Sequence, residues 1–281
     1  MGEFAVGVAS AAEVRVIVQW AAAEGWNPGA WDENIFFAGD PNAFLVGRLD
    51  GRAVTSIAAI RYGEKHGFIG LYLTVPQWRG HGYGRRVWQA GMERLAGRNV
   101  GLDGVPLQQE NYRRSGFRTS WNTVRYRGRI DRIETAPGVT VVDARSIGFA
   151  DLAAYDRRFF PADRDAFLAL WISAPKHRAL AALRDGELAG FAVRRPAGDT
   201  ARIGPLYAES PDIAAHLLSV LAMSEGDAPI LLDVPDVNWS GVTLAEKFAL
   251  TPCFETARMY TGGTPDIEIP HIFGTTTREF G

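Results

Sequence analysis

The chain is short of the residues that build metal centres and disulfide frameworks. A single cysteine, Cys253, among 281 residues excludes an internal disulfide and any thiolate-rich site, and the five histidines are scattered without ligand spacing. No protein-bound metal is expected. Charge of one sign is also lacking. The formal net charge of −2 offers no broad basic surface, so nucleic acid is not an expected general partner. No uninterrupted apolar run approaches the roughly 20 residues of a membrane-spanning helix. The segment Met1 to Ser10 lacks the basic-then-apolar layout of a secretory leader. Met1-Gly2 opens like an acylation signal, but Val6 stands where Ser or Thr is needed. A cytoplasmic protein without a membrane partner is expected.

What is present is apolar material in quantity, 47% of the chain, enough for one large core or two ordinary ones. An internal repeat favours two. In the first half Leu49-Asp50-Gly51-Arg52 joins the apolar runs 43–49 and 53–61; in the second, Arg184-Asp185-Gly186-Glu187 joins 179–183 and 188–194. Asp-Gly between such runs predicts a hairpin, because the tight turn needs the positive φ angles that Gly tolerates. Each hairpin is followed by a run containing Ile-Gly (68–75 and 201–207), a helical segment, and a Leu-Asp strand end, Leu102-Asp103 and Leu232-Asp233. Helical material precedes each hairpin, and a short helix and a final strand follow each Leu-Asp. Thr135-Ala136-Pro137-Gly138 separates the copies as a linker. The order reads as mixed α/β.

The central motif is Gln77-Trp78-Arg79-Gly80-His81-Gly82-Tyr83-Gly84, between the run 68–75 and a helix predicted over 84–96. In that helix Trp88, Met92 and Leu95 recur at i, i+4 and i+7. Three alternate glycines let successive backbone N–H groups converge on one anion, and the helix N-terminus adds partial positive charge. This predicts a phosphate-binding turn; the alternative is a plain strand-to-helix turn. Gly-x-Gly-x-Gly spacing with no Gly-Lys-Ser/Thr disfavours a dinucleotide fold and excludes a Walker loop, although Asp103 lies about 20 residues on, where a ribose-binding acid would stand.

Arg79-Gly80-His81-Gly82-Tyr83-Gly84 is similar to the Arg/Gln-Gly-x-Gly-x-Gly/Ala signature of the GNAT superfamily of N-acetyltransferases. Tyr112-Arg113-Arg114-Ser115-Gly116-Phe117 resembles its second landmark, Tyr-x-x-x-Gly-Phe. The resemblance covers residues 4–129. One departure is Val105, where the family usually has Asn; Asn111 adjoins the Tyr instead. At the matching place the second half has Ala208-Glu209-Ser210-Pro211-Asp212, without the glycines and with two acids that would repel a pyrophosphate. Ser210 or Asp212 reads as a helix cap there, with Pro211 in the first turn. The whole chain thus resembles tandem GNAT proteins that pair a competent domain (1–134) with a degenerate one (138–281). Each is implied to be a mostly antiparallel twisted sheet flanked by helices.

The resemblance implies acetyl transfer from acetyl-CoA to an amino group of a small-molecule or protein acceptor, with a homodimer left open. It assigns the backbone of Leu73, Thr74 and Val75 to the pantetheine arm and the thioester carbonyl. It assigns Arg79, Gly80, His81, Gly82, Tyr83 and Gly84 to the pyrophosphate, and Tyr112 to the coenzyme sulfur as general acid. Arg85 and Arg86 assist the phosphates or form a solvated face. No general base is singled out among Glu64, Asp103 and Glu110. Trp26, Trp31 and Asp32 form either an acceptor wall or core packing. Two other readings compete: a non-catalytic acyl-CoA-binding regulator, and an aminoacyl transferase of the same fold, which the near-neutral charge disfavours.

Overall fold

The computed structural model describes residues 2–224 and 228–281. Met1, on which the leader and acylation readings partly rest, lies outside them. Strand β1 (Phe4–Val8) and helices α1 (Ala11–Ala23) and α2 (Asp32–Gly39) precede the hairpin of β2 (Phe44–Leu49) and β3 (Arg52–Tyr62). Then come β4 (His66–Thr74), α3 (Tyr83–Arg94), β5 (Asn99–Gly104), α4 (Gln109–Arg114) and β6 (Arg118–Gly128). The second copy follows the same plan: β7 (Val139–Asp143), α5 (Phe149–Asp156), α6 (Asp165–Ser173), β8 (Arg178–Arg184), β9 (Glu187–Ala197) and β10 (Thr200–Ala208). It continues with α7 (Pro211–Ala222), β11 (Ile230–Pro235), α8 (Trp239–Lys247) and β12 (Thr251–Tyr260), and adds a short β13 (Ile272–Gly274).

Local chemistry explains the joints. Asp50 (φ 49°) and Gly51 (78°), like Asp185 (53°) and Gly186 (86°), are left-handed at both central positions, as the predicted hairpin turns demand. Ser10 caps α1 in a reciprocal box with Glu13. Ser210 caps α7, its hydroxyl accepting from the Ile213 N–H (3.4 Å), with Pro211 in the first turn. Helix α3 begins and ends close to its predicted limits, and of its apolar stripe Leu95 is buried in the core, whereas the buried positions before it lie one residue earlier than Trp88 and Met92. Val87 and Gly91 face the sheet, with Trp88 and Met92 half-buried beside them. A Cβ at Gly91 would fall 2.8 Å from Ile57 Cδ1, so the helix lies close on β3 because that residue has no side chain.

Among the described residues the two copies share one 13-stranded sheet, ordered β1-β2-β3-β4-β5-β12-β6-β11-β10-β9-β8-β7, with β13 beside β10. Strands β6 and β12 have changed places. β12 pairs antiparallel with β5 of the first copy (Arg258 opposite Asp103), and β6 pairs antiparallel with β11 of the second (Arg125 opposite Asp233). Each exchanged strand carries a buried arginine that clamps the Leu-Asp aspartate of the copy it enters. Arg125 donates Nε and Nη2 to Asp233 at 2.7 and 2.8 Å, and Arg258 Nη2 reaches Asp103 at 2.7 Å. Removing one partner of such a pair costs about 3–5 kcal/mol. A shared apolar core includes residues of α1, α2, α5 and α6, while α3 and α7 each contribute to a separate one. No helix among the described residues is long and apolar enough to cross a membrane.

Candidate active site

Strands β4 and β5 pair in parallel only from His66–Asn99 to Ile69–Leu102 and then part. The cause lies in β4. Its register against β3 slips between Ser56 and Ala58, and Leu71 takes a left-handed φ of 46° in the bulge. Such a residue costs on the order of 1–3 kcal/mol. Two hydroxyls of β3 hold it: Ser56 Oγ donates to the Leu71 carbonyl and Thr55 Oγ1 to the Leu73 carbonyl, both at 2.9 Å. A cleft of about 470 Å³ opens where the strands separate.

At one end of the cleft lies the glycine loop. Gly80 (φ 80°) and Gly82 (φ 82°) are left-handed, and no atom lies within 4 Å of a Cβ built at either, so backbone conformation rather than crowding selects glycine. Gly82 precedes α3 with no side-chain cap, so no side chain meets the first helical amides. Leu73, Thr74, Arg79, Gly80, Gly82, Gly84 and Arg85 line this part of the cleft. Arg79 is held in place by its ion pair with Glu24 and by a bond from its Nε to the Thr74 carbonyl (2.9 Å). Three predicted residues do not line the cleft. The Val75 N–H donates to the Val54 carbonyl (3.0 Å). His81 stacks on Tyr83 (6.0 Å), which stacks on Phe4 (4.6 Å).

Tyr112 lines the opposite wall, buried against Trp88 with ring centroids 5.4 Å apart. Burial pushes its phenol well above the usual tyrosine range, so it stays protonated at neutral pH. Of the three carboxylates considered as bases, Glu64 is exposed in the turn after β3, and Glu110 is exposed and pairs with Arg113 and Arg114. Asp103 does line the cleft, but as the partner of Arg258. Trp26 is a cleft wall; Trp31 is 40% exposed; Asp32 is fully buried and paired with Arg195 at 3.0 Å.

The segment 275–281 is the feature that sequence reasoning missed. In the second copy β10 and β11 also part, after Ile203–Leu232, but β13 pairs with β10 at Leu206 and Tyr207 and fills the gap. The chain then crosses towards the first copy. A Cβ at Gly204 would lie 2.4 Å from the Thr275 carbonyl oxygen, and one at Gly70 would lie 1.9 Å from that of Glu279. The Ile-Gly of each repeat is therefore where this segment passes. Phe280 stacks on Phe36 (3.9 Å), and Tyr62 donates to the Phe280 carbonyl (2.7 Å).

This path brings Arg278 and Glu279 into the cleft wall beside Arg125 and Phe254. Behind them Asp233 accepts from Arg125, from Arg202 (3.2 Å) and lies 2.8 Å from Arg278, while Glu279 accepts from Arg202 (3.1 Å). Against the penalty of burial, Arg125, Arg278 and Arg202 hold Asp233 well below the usual carboxylate range. Against the same penalty, Arg202 and the Thr277 hydroxyl hold Glu279 at about 2. Among the described residues no three His, Cys, Asp or Glu side chains are grouped to hold a metal.

Parted parallel strands, a left-handed glycine turn and a buried tyrosine thus meet in one cleft, and the strand plan is duplicated with the second copy's gap closed by its own strand. Family models agree in both halves: residues 11–117 match the acetyltransferase (GNAT) family, and residues 152–274 an acetyltransferase (GNAT) domain. The chain is 31% identical to the holothin acyltransferase of Pseudoalteromonas sp. (strain SANK 73390), over 97% of this chain and 93% of that protein. The chain belongs to the GNAT acyltransferases, as a tandem member. In fold it resembles a putative acetyltransferase from Pyrococcus horikoshii (TM-score 0.82, 21% identity, covering 99% and 96% of the two chains). It also resembles a tandem GNAT protein from the clavulanic acid biosynthesis pathway (TM-score 0.63, 15% identity, 93% and 100%).

Proposed function

We propose that the protein transfers an acetyl group from acetyl-CoA to an amino group of a small-molecule or protein acceptor. The observation that carries this reading is the single cleft that joins a left-handed glycine turn at the start of α3 to the freed edge of β4 and to Tyr112. The residues present fit the coenzyme: glycines where a Cβ would strain the turn, Arg85 beside it, and a strand edge released from β5. Residues 1–134 supply most of this surface, and 138–281 contribute at the inner end, where the acceptor enters.

Acetyl-CoA, when bound, supplies an activated thioester. Gly80, Gly82, Gly84 and the α3 N-terminus take the pyrophosphate charge, and the backbone of Leu73 and Thr74 orients the arm and polarises the carbonyl. The acceptor nitrogen, as the free amine, forms a bond to the carbonyl carbon as the carbon–sulfur bond breaks; the Tyr112 phenol gives its proton to the departing sulfur, and the proton that the nitrogen loses passes to water, from which the phenolate is reprotonated. Proximity provides much of the rate, since the cleft walls fix amine and thioester together. Likeness along nearly the whole chain to a known acyltransferase supports the same chemistry here.

The test is direct. Saturating acetyl-CoA should raise the melting temperature of the purified protein, and a panel of amines should release free thiol. No thermal shift with acetyl-CoA would refute the reading; a shift without thiol release from any amine would point to a non-catalytic acyl-CoA-binding regulator instead.

A further inference from the structure

Resting on that reading, we propose that Arg278 forms a subsite at the inner end of the cleft for a carboxylate carried by the acceptor. Its side chain is 6% exposed, and it lines the cleft. One nitrogen is engaged: Nη2 lies 2.8 Å from Asp233 and donates to the Thr123 carbonyl at 3.3 Å. Nε and Nη1 are buried and have no hydrogen-bond partner. Buried donors of a guanidinium are rarely left unmet, because their desolvation is not repaid.

The charges around it are unbalanced in the same sense. Arg125, Arg202 and Arg278 share the two carboxylates of Asp233 and Glu279. Arg125 turns its third nitrogen, Nη1, to the Trp26 carbonyl (3.0 Å), and Arg202 reaches the Asn27 carbonyl (3.2 Å). The surplus positive charge of this cluster therefore falls on Arg278, the member with donors free. Its guanidinium sits over the Phe254 ring at 4.9 Å, which fixes its position in the wall.

A single surplus charge selects a monoanion. A phosphate dianion would meet the carboxylates of Glu279 and Asp103, which also line the cleft. The walls beside Arg278 include Phe254 and Trp26, so the carboxylate is borne on an apolar body. An acceptor of this class carries its amine at the end of the molecule that faces the thioester and its carboxylate at the end that faces Arg278.

The experiment uses the full chain saturated with coenzyme A and compares equilibrium binding of phenylacetate and phenylacetamide, near-isosteres of which only the first is an anion with two acceptor oxygens. Phenylacetate should bind at least tenfold more tightly to the wild type. Arg278→Gln should abolish that preference while retaining the thermal shift with coenzyme A, and Arg278→Lys should retain part of it. Equal binding of the two probes, or no binding of either, would overturn the proposal and mean that the free donors are simply hydrated. A preference that survives Arg278→Gln would overturn it by placing the anion elsewhere. If Arg278→Gln does not fold, the wild-type comparison and Arg278→Lys decide. Thiol release from amines is a separate measurement: its absence sinks the transferase reading and leaves this comparison intact, whereas release without an anion preference sinks the carboxylate subsite alone.

Discussion

Replacing Gly70 by Ala adds one methyl group to β4, and its predicted effect is large because of what passes above it. In a strand conformation open to any residue, Gly→Ala stabilises by about 0.4–1 kcal/mol through the unfolded chain. Gly70 does not have a left-handed φ, so backbone conformation alone permits alanine. The new Cβ, however, would lie 1.9 Å from the Glu279 carbonyl oxygen and 2.7 Å from its carbon. Both are backbone atoms, with no rotamer to yield, so either β4 or the segment 275–281 must move. Displacing the segment exposes Phe280, which is 2% exposed in the fold and whose loss is comparable to a buried Phe→Ala change of about 3–5 kcal/mol. It also breaks the bond from Tyr62 to the Phe280 carbonyl, worth about 1 kcal/mol. The fold will take the least costly rearrangement, so we expect a net loss of about 3 kcal/mol or more. Urea unfolding measures it. Gly39→Ala at the end of α2, where nothing lies within 4 Å of the new Cβ, is the control and should be neutral or slightly stabilising. A Gly70→Ala protein that unfolds at the wild-type midpoint would refute the inference that this segment is seated against β4.

Further outcomes follow from the same structure. Tyr112→Phe should lower kcat on the order of 100-fold with little change in the KM for acetyl-CoA, measured by thiol release; an unchanged kcat would remove Tyr112 as the acid. Asp233 and Glu279 have folded pKa values below their unfolded ones, so the stability they contribute is full above the unfolded carboxyl range and is lost as pH falls through the folded values. Unfolding midpoints should be level from pH 7 to about 5 and fall between about 5 and 2, with Glu279 alone worth on the order of 3 kcal/mol. Asp233→Asn should flatten part of that fall while costing about 3–5 kcal/mol at neutral pH. Fragments 1–134 and 138–281 expressed separately should lack cooperative unfolding, because each holds the other's exchanged strand, and coexpression should restore it. Two independently folding fragments would contradict the exchange.

Much of this was legible in the residues, and what was not has identifiable causes. Asp-Gly pairs announced both hairpins because type I′ turns leave little choice of residue. The glycine turn and Tyr112 were visible because they combine spacing with chemistry. In α3 Leu95 is buried as its period indicates, but Trp88 and Met92 were read in place of Val87 and Gly91, because a glycine carries no apolar signal. The two Ile-Gly pairs were seen as a repeat, but their reason, the close passage of residues 275–281, depends on contacts about 200 positions away in the chain for Gly70 and about 70 for Gly204. Asp103 read as a candidate acid or strand end and Asp233 as a strand end; their partners Arg258 and Arg125 sit on strands that cross between copies, which no local pattern encodes. Arg278 escaped notice because a polar stretch such as Thr275-Thr276-Thr277-Arg278 reads as surface, whereas each of these residues is buried.

The exchange of β6 and β12 sets an order of events for a chain made from its N-terminus. The first copy leaves the ribosome with its glycine turn, its freed strand edge and Tyr112 already encoded, yet the strand beside β5 is still to be synthesised. Only when residues 251–281 emerge does β12 reach its place and Glu279 come to rest above Gly70. The copy that holds the glycine turn and Tyr112 is thus translated first and completed last. A chain cut short before β12 would be left with a β5 edge that lacks this partner and is open to association.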